Sequence, residues 1–355
     1  MLRLKCLQKL LQKRCLRAAL ISKPQNVRYL CGYIGTNGRL FVTPKKATLI
    51  TDFRYLRSAR KQIPRAVEIF DQKNGVKKLL GHFKTLGVEE GFITHAQFQG
   101  LKKMLPRIAL KSISGTVESM RMIKDSEEMK IMRKACAMAD ECLTRLLKTI
   151  RVGISEDELT WNLLSIAHSL GADGFSFPPI ICFGKNTADV HHIKEPNRLK
   201  KGEMVLIDMG IEYQGYMTDM TRTFYTRKPT PVEQNVYTTV LESNQAAIRA
   251  VRVGKKLSEI DKVARDFIKK AGYAKYFGHS TGHGVGLEVH EAPTVSEKSE
   301  ERVQPGMVFT VEPGIYLNHL GGVRIEDMVY VNEKGKTEML TQFPKSLKFQ
   351  KDLQK

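Results

Sequence analysis

The chain has 355 residues, a formal net charge of +21 at pH 7 and 42% hydrophobic residues. This apolar content excludes a mostly disordered chain, and the apolar runs are too short to span a membrane. The length predicts about two domains. The six cysteines form no CxxC pair, so we expect reduced, mostly buried thiols and a cytoplasmic location rather than a disulfide scaffold.

Most of the excess positive charge lies in the first third of the chain. Residues 1–120 contain 24 basic and 6 acidic side chains, whereas residues 121–355 contain 34 and 31. Such a surface either binds a polyanion such as nucleic acid or is simply solvated. Because no RNP-like aromatic pattern or helix-turn-helix signal accompanies the charge, nucleic-acid binding is kept only as an alternative.

The N-terminal segment predicts a helix followed by a buried strand. Leu4, Leu7, Leu11 and Cys15 recur at helical spacing, and residues 18–22 are typical of a strand. The segment is basic and acid-free, as a transit peptide can be, but it contains no uninterrupted apolar core of a secretory signal. The first helix of a domain is the simpler interpretation.

The next hundred residues predict a small α/β domain of mixed strand order. Residues 39–43 and 47–51 form the predicted strands on either side of a turn at Pro44. Weaker strand patterns lie at Gly87-Val88 and at residues 108–110. A polar connector is predicted over residues 112–117, which gives domains of 1–117 and 118–355.

The second domain opens with two predicted helices. The first begins at Asp125 or Ser126, carries a Met-rich apolar stripe typical of a core and ends at the Arg-Val-Gly of residues 151–153. Ser155 and Glu158 form a capping box that opens the second helix.

This domain repeats part of its own sequence. The Arg-Val-Gly of residues 151–153 recurs at residues 252–254, and residues 201–208 resemble residues 304–312. The two offsets are 101 and 104 residues. Near-equal offsets in matching order predict an internal duplication and a pseudo-twofold domain, in which each half offers a hairpin with two acids.

The four repeated acids and one histidine predict a metal site. Asp208 and Asp219 flank one turn, Glu312 and Glu326 flank another, and His283 stands between glycines. Four converging carboxylates repel one another unless cations neutralise them, and such a set suits two bridged divalent ions of the Mn, Co or Zn type. The alternative, that these acids are turn residues or ion-pair partners, fits a lone motif better than this ordered set.

These motifs resemble the M24 metallopeptidase family, and within it the Xaa-Pro aminopeptidases and prolidases. The resemblance covers nearly the whole chain and rests on the following segments: 208–210 (Asp-Met-Gly), 218–223, 282–286 (Gly-His-Gly-Val-Gly), 289–291, 311–314 (Val-Glu-Pro-Gly) and 324–327. Residues 26–33 and 51–55 resemble the creatinase-like N-terminal domain of these enzymes, more weakly. That domain argues against a simple methionine aminopeptidase.

The resemblance implies the fold and the ligand roles. The fold class is α/β (α+β): a small, strongly basic creatinase-like α/β domain over residues 1–117, then a pseudo-twofold pita-bread domain over residues 118–355. It implies that Asp208 chelates one metal ion, that Asp219 and Glu326 bridge two, and that His283 and Glu312 bind the second. Manganese is the expected metal, with Co or Zn as alternatives.

The expected activity is hydrolysis of the peptide bond before proline. We expect Glu312 to act as general base and proton shuttle, and His290 to stabilise the tetrahedral intermediate. His191, His279 and Arg324 are expected at the substrate, with His192 as a rival to His191 by one register. Residues 177–179 and His191 are candidates for the proline pocket.

Several alternatives stay open. The substrate is either a longer Xaa-Pro peptide, as for aminopeptidase P, or an Xaa-Pro dipeptide, as for prolidase. A non-catalytic binding module with a polyanion partner and a creatinase-type amidinohydrolase are more distant. We expect a homodimer with proline-containing peptides as substrates and no membrane contact. A packing or core role is expected for the remaining aromatic and histidine candidates: Tyr316, Trp161, His82, His95, His168 and His319.

Overall fold

The structure, a computed structural model, describes residues 2–345 and divides into two compact units between Arg121 and Met122. The predicted boundary at 117/118 falls inside the short helix that ends at Arg121. Within the described residues no helix is both long and apolar enough to cross a membrane.

The first unit is a six-stranded mixed sheet with helices between its strands. Its helices are α1 (Leu2–Lys13), α2 (Pro24–Cys31), α3 (Leu56–Gln62), α4 (Val76–Leu80), α5 (His95–Met104) and α6 (Thr116–Arg121). Its strands are β1 (Ala19–Ile21), β2 (Arg39–Val42), β3 (Ala47–Thr51), β4 (Val67–Asp71), β5 (Thr85–Val88) and β6 (Ala109–Ser112). The strand order is β4-β3-β2-β1-β5-β6, with β1 antiparallel to β2 and parallel to β5.

The predicted first helix and hairpin are confirmed, but two other predictions for this unit, the position of Cys15 and the connector at residues 112–117, are corrected. Leu4, Leu7 and Leu11 are buried on one face of α1, but Cys15 is exposed. The helix ends at Lys13 and Cys15 has a positive φ of 55°, which takes its side chain off the apolar face. The polar connector predicted for residues 112–117 is also wrong in part, because Ser112 ends β6 and Thr116 opens α6.

The second unit contains four long helices and thirteen strands in its described part. The helices are α7 (Ser126–Leu147), α8 (Glu156–Ser169), α9 (Pro231–Ala250) and α10 (Leu257–Lys270). Strands up to residue 225 are β7 (Gly174–Phe175), β8 (Ile180–Phe183), β9 (Met204–Met209), β10 (Ile211–Tyr213), β11 (Tyr216–Met217) and β12 (Met220–Tyr225). The later strands are β13 (Gly282–Gly284), β14 (Glu291–Val295), β15 (Val308–Val311), β16 (Gly314–Leu317), β17 (Gly321–Arg324), β18 (Asp327–Val331) and β19 (Thr337–Met339).

Capping residues start the first two of these helices as the sequence predicts. The side chain of Asp125 accepts the backbone N–H groups of Glu127 and Glu128, and Glu128 returns a bond to the cap. Ser155 and Glu158 form the same reciprocal box at α8. Each box satisfies donors that the first helical turn would otherwise leave unpaired.

The turn between the paired helices shows the duplication in atomic detail. Gly153, after α7, has φ 87°, and Gly254, after α9, has φ 85°. The N–H of Gly153 donates to the carbonyl of Leu199 at 2.8 Å, and that of Gly254 donates to Val303 at 2.8 Å. Two arginines then donate to these glycine carbonyls, Arg198 to Gly153 and Arg302 to Gly254, each at 2.7 Å. The predicted internal repeat is therefore a repeat of structure.

Each half of the second unit packs two helices against one group of strands. In the first half, α7 and α8 bury their apolar faces on β8 and β9, with β9 lying between β8 and β12. In the second half, α9 and α10 bury theirs on β15 and β18 of the five-stranded sheet β14-β13-β15-β18-β19. The β9–β12 pair corresponds to the β15–β18 pair, and each pair carries an inserted hairpin, β10–β11 or β16–β17.

Buried polar contacts join the two halves where β12 meets β18. The N–H of Glu326 donates to the carbonyl of Thr221 at 3.1 Å. The guanidinium of Arg222 donates to the carboxylate of Asp327 at 2.8 Å, and both side chains are almost fully buried. A buried ion pair of this kind needs both partners, since either charge alone would be left desolvated. The contacts fix the ends of both strand pairs next to each other.

Candidate metal centre

The four repeated acids stand at corresponding strand ends. Asp208 lies in β9 opposite Thr221, and Asp219 immediately precedes β12. Glu312 immediately follows β15, and Glu326 immediately precedes β18. Because the inserted hairpins leave and return at these points, each half brings its two acids to one end of its strand pair.

His283 joins the acids from β13. Its Nε2 lies 3.5 Å from Oδ2 of Asp219 and 3.3 Å from Oε1 of Glu312. Its Nδ1 is 3.2 Å from the carbonyl of Gly284, which orients the ring so that Nε2 faces the carboxylates. Burial lowers the pKa of His283, so the ring is neutral and can offer a lone pair. One ligand atom each from Asp219, His283 and Glu326 fits within 4.8 Å of the others.

The carboxylates are unfavourably charged without a cation. Burial, reinforced by the neighbouring Glu326 and Asp208, raises the pKa of Asp219 well above its usual value. Burial also raises the pKa of Glu326, and it raises that of Glu312 to about 7. In each case desolvation is the largest penalty on the charged form, and for Asp219 and Glu326 the nearby acids add to it.

Arg324 is the cation that the chain itself places here. Its three donor nitrogens contact Asp208 Oδ2 at 2.7 Å, Tyr316 Oη at 3.0 Å and Thr221 Oγ1 at 3.0 Å. Thr221 in turn donates to Glu326 Oε2 at 2.7 Å. Arg324 thus fixes Asp208 directly and Glu326 through one hydroxyl, and each of its three nitrogens makes one hydrogen bond.

The residues present fit a pair of divalent cations. Oδ1 of Asp208 is buried and has no hydrogen-bond partner among the described residues. One guanidinium cannot neutralise four acids, and carboxylate oxygens with one imidazole are the donors that Mn, Co and Zn ions accept. The raised pKa values and the unpaired oxygen are the features expected of an oxygen-rich site before its cations bind.

These residues line a cavity of about 420 Å³, a volume within the range of small-ligand sites. All nine predicted site residues line it: Asp208, Asp219, His283, Glu312, Glu326, His191, His279, His290 and Arg324. Phe177, from the candidate proline pocket, lines it with Ile180 and Val190. The structure therefore brings these nine residues and Phe177 together but not Pro178 or Pro179, and their individual roles stay predictions.

The histidines occupy different parts of the cavity. The ring of His290 lies against that of His283, with centroids 4.2 Å apart at 69°. His279 hydrogen-bonds Tyr316 Oη at 2.9 Å, and burial lowers the pKa of His279 to about 4. His191 is exposed at the cavity wall, whereas His192 is buried against Glu156 and does not line the cavity.

Two residues near the centre were missed by sequence reasoning. Tyr316, expected only to pack, places its hydroxyl between His279 and Arg324. The sequence feature that could have pointed to Tyr316 is the glycine on either side of it. A Cβ at Gly314 or Gly322 would lie 2.4 or 2.6 Å from the Tyr316 side chain, so both positions must stay small. Thr221, between Arg324 and Glu326, could have been found by strand alternation, because it is two residues from Asp219.

Other packing predictions are wrong. Trp161 is 62% exposed, because it lies on the outer face of α8 rather than on the face that meets the sheet. The four histidines expected in the core are all exposed: His82, His95, His168 and His319. A single histidine carries no sequence signal that separates a surface position from a core one.

Known proteins resemble the chain along nearly its whole length. The model for a creatinase/prolidase N-terminal domain matches residues 3–123, and that for metallopeptidase family M24 matches residues 130–333. An Xaa-Pro dipeptidase from Pyrococcus horikoshii is 35% identical over 326 residues, covering 92% of this chain and 93% of that protein.

Two solved structures show the same architecture. An Xaa-Pro dipeptidase from Bacillus anthracis superposes with a TM-score of 0.92 at 35% identity, covering 97% of this chain and 98% of that one. An X-Pro aminopeptidase from Thermotoga maritima gives 0.89 at 31% identity, with coverage of 97% and 98%. These matches confirm the predicted resemblance and fold class, a creatinase-like domain followed by a pita-bread domain.

Proposed function

Because the chain belongs to metallopeptidase family M24 and is a hydrolase of peptide bonds of the prolidase or X-Pro aminopeptidase type, we propose that it removes the N-terminal residue from Xaa-Pro peptides in the manner of aminopeptidase P. Its substrates would be peptides with proline in the second position. The cavity of about 420 Å³ can hold the residues on either side of such a bond.

The observation that supports an aminopeptidase is that Arg324, the basic side chain lining the cavity, is already hydrogen-bonded to protein groups. Within residues 2–345, the cavity lining contains Arg324 and no lysine or second arginine. The three donor nitrogens of Arg324 are already bonded to Asp208, Tyr316 and Thr221. A dipeptidase must recognise the free C-terminal carboxylate of its substrate, and among residues 2–345 the one guanidinium or ammonium lining this cavity already hydrogen-bonds three protein groups. A longer peptide makes no such demand.

The prolidase reaction is the second candidate. It is favoured by the names of relatives, since the similar proteins from Pyrococcus horikoshii and Bacillus anthracis are described as Xaa-Pro dipeptidases. Both candidates share the same bond and the same centre.

Asp208, Asp219, His283, Glu312 and Glu326 would hold two divalent ions, for which we propose Mn²⁺. Such ions polarise a carbonyl and lower the pKa of bound water. Side chains would provide proton transfer and substrate binding. Burial brings the pKa of Glu312 to about 7 before any ion binds, and Thr310 donates to its Oε1 at 3.2 Å. We assign Glu312 the role of general base, which would accept a proton from the attacking water and pass it to the leaving amine.

The histidines would bind the peptide. His290, exposed above His283, is placed to stabilise negative charge on the scissile carbonyl, and His191 and His279 to contact the residues on either side of it. Arg324, which also lines the cavity, would orient Asp208 through their ion pair. Proline in the second position lacks an amide N–H, so packing by a wall such as Phe177 can select it.

The test is a paired hydrolysis assay on metal-stripped protein. Xaa-Pro and Xaa-Pro-Xaa peptides are supplied with Mn²⁺, Co²⁺ or Zn²⁺, and the released N-terminal residue is measured. Cleavage of the tripeptide that requires metal and disappears in Asp219→Ala supports the aminopeptidase. Cleavage of the dipeptide alone makes the protein a prolidase, and no cleavage with any metal contradicts both. Light scattering of the same sample tests the homodimer expected from the sequence.

A further inference from the structure

A segment without regular secondary structure forms one wall of the cavity. Residues 189–196 follow a short 3₁₀ helix, Gly184–Ala188, and lead towards β9. Val190 and His191 of this segment line the cavity, and His191 is exposed. A wall without ladder hydrogen bonds can hold a substrate-binding side chain in place only if other contacts fix its backbone.

The contact that fixes this segment is a buried pair between His192 and Glu156. Nε2 of His192 lies 2.9 Å from Oε2 of Glu156, and the two side chains are 4% and 0% exposed. The backbone N–H of Glu195 donates to the same carboxylate oxygen at 3.2 Å. Glu156 is the first residue of α8, so its buried carboxylate attaches the segment to this helix at two points.

Because the His192–Glu156 pair is buried, it is sensitive to the loss of either partner. Oε1 of Glu156 is also buried and has no hydrogen-bond partner among residues 2–345. A carboxylate removed from water needs its remaining bonds, so loss of His192 would leave Glu156 poorly satisfied and favour opening of the segment. The adjacent pair between Lys194 and Asp157 is different, because those side chains are 54% and 52% exposed and water can replace either partner.

We propose that His192 and Glu156 are positioning residues for substrate binding. By anchoring the 189–196 segment on α8, they hold His191 and Val190 at the cavity wall, and they do not touch the metal ligands. This inference rests on the proposed peptidase function for its kinetic consequence, but its structural part does not. His192 therefore has its own place beside His191, although the sequence left the two as rivals for one role.

The proposal predicts a selective loss of substrate binding. In His192→Leu, which keeps bulk but cannot bond Glu156, KM for an Xaa-Pro-Xaa peptide should rise about tenfold or more, since small misplacement of a substrate-binding group costs one to two orders of magnitude. The Mn²⁺ dissociation constant, measured by calorimetry, should stay within about twofold because the five ligands lie on other elements. His192→Gln, which can donate to Glu156, should restore most of the affinity.

The matched control is Lys194→Ala, in the same segment and facing the same helix, which should leave KM unchanged. Hydrogen exchange followed by mass spectrometry supplies a readout that needs no activity: backbone amides of residues 189–196 should exchange faster in His192→Leu and not in Lys194→Ala. Glu156→Ala, which removes the shared acceptor, serves as the second variant if His192→Leu does not fold, and it should shift exchange in the same direction.

Unchanged exchange and unchanged KM in His192→Leu would overturn the proposal, as would a loss of Mn²⁺ affinity as large as the rise in KM. If the wild-type protein cleaves no Xaa-Pro peptide, the proposed function fails, while the exchange comparison still decides whether the His192–Glu156 pair anchors the segment.

Discussion

The segment that carries His279 and His283 is held from behind by Asp261 of α10. The carboxylate of Asp261 is fully buried and accepts the hydroxyl of Thr281 at 2.8 Å and its N–H at 3.2 Å. It also accepts Arg265 Nε at 2.7 Å, and Arg265 donates onward to the carbonyl of His279 at 2.5 Å. Replacing Asp261 by alanine should therefore loosen the segment on which the histidine ligand stands.

The size of the loss follows from what is left unpaired. Thr281 is fully buried, so leaving each of its two donors unpaired would cost about 1–3 kcal/mol of unfolding free energy. Arg265 loses less, because its side chain is 23% exposed and lies 3.2 Å from Glu297. We expect Asp261→Ala to lower the free energy of unfolding by about 3–5 kcal/mol, the range for one partner of a buried pair, and the melting temperature by about 6–20 °C.

Differential scanning calorimetry of the metal-free protein measures this change. Glu297→Ala, which removes the exposed partner of Arg265, is the control and should cost no more than about 1 kcal/mol. Because the N–H of Glu312 donates to the carbonyl of Thr281 at 2.8 Å, Asp261→Ala should also weaken Mn²⁺ binding in titration calorimetry. A melting temperature as close to wild type as that of Glu297→Ala, with unchanged Mn²⁺ affinity, would refute the reasoning.

Three further predictions concern the same centre. Gly282→Ala should abolish Mn²⁺ binding and destabilise the protein by about 1–3 kcal/mol, because its Cβ would lie 2.0 Å from the backbone oxygen of Thr310; normal metal titration would contradict this. Asp219→Asn should raise or preserve the melting temperature of the metal-free protein by relieving charge repulsion, and should remove the rise on adding Mn²⁺, which for wild type at 100 times Kd is about 2.7 kcal/mol in unfolding free energy. Burial lowers the pKa of His279 from 6.5 to about 4, so its contribution is present above pH 6.5 and up to about 3 kcal/mol is lost as the pH falls to 4. The free energy of unfolding, measured at pH 7 and pH 5, should show this loss in wild type and not in His279→Gln. An equal pH dependence in the two proteins would disprove the prediction.

The acid cluster could be predicted because two independent patterns carry it. Asp208 and Glu312 each end an apolar strand, and the repeat places Asp219 and Glu326 after equivalent hairpins. Strand ends of paired hairpins meet in space whatever the details of packing. The capping box at Ser155 was predictable for a similar reason, since its partner Glu158 is three residues away, whereas spacing left the cap of α7 open between Asp125 and Ser126.

Features that depend on packing between distant elements could not be predicted. The choice between His191 and His192 depends on Glu156, which reaches His192 from a helix more than thirty residues earlier in the chain. Cys15 fits the spacing of α1, but the helix ends before it. Tyr316 becomes part of the centre through side chains from two other segments. Local spacing contains none of this information.

The two halves of the second unit differ at one position that the repeat makes comparable. Phe183 of β8 pairs with Val205, three residues before Asp208, and Gly284 of β13 pairs with Phe309, three residues before Glu312. The counterpart of His283 is therefore Cys182, a fully buried thiol whose pKa burial raises well above its usual value. One half contributes an imidazole where the other contributes an inert packing residue. If two ions bind as proposed, one would have a nitrogen ligand and the other oxygen ligands alone. The two metal positions of this pseudo-twofold domain would then differ in affinity, and one would be occupied before the other.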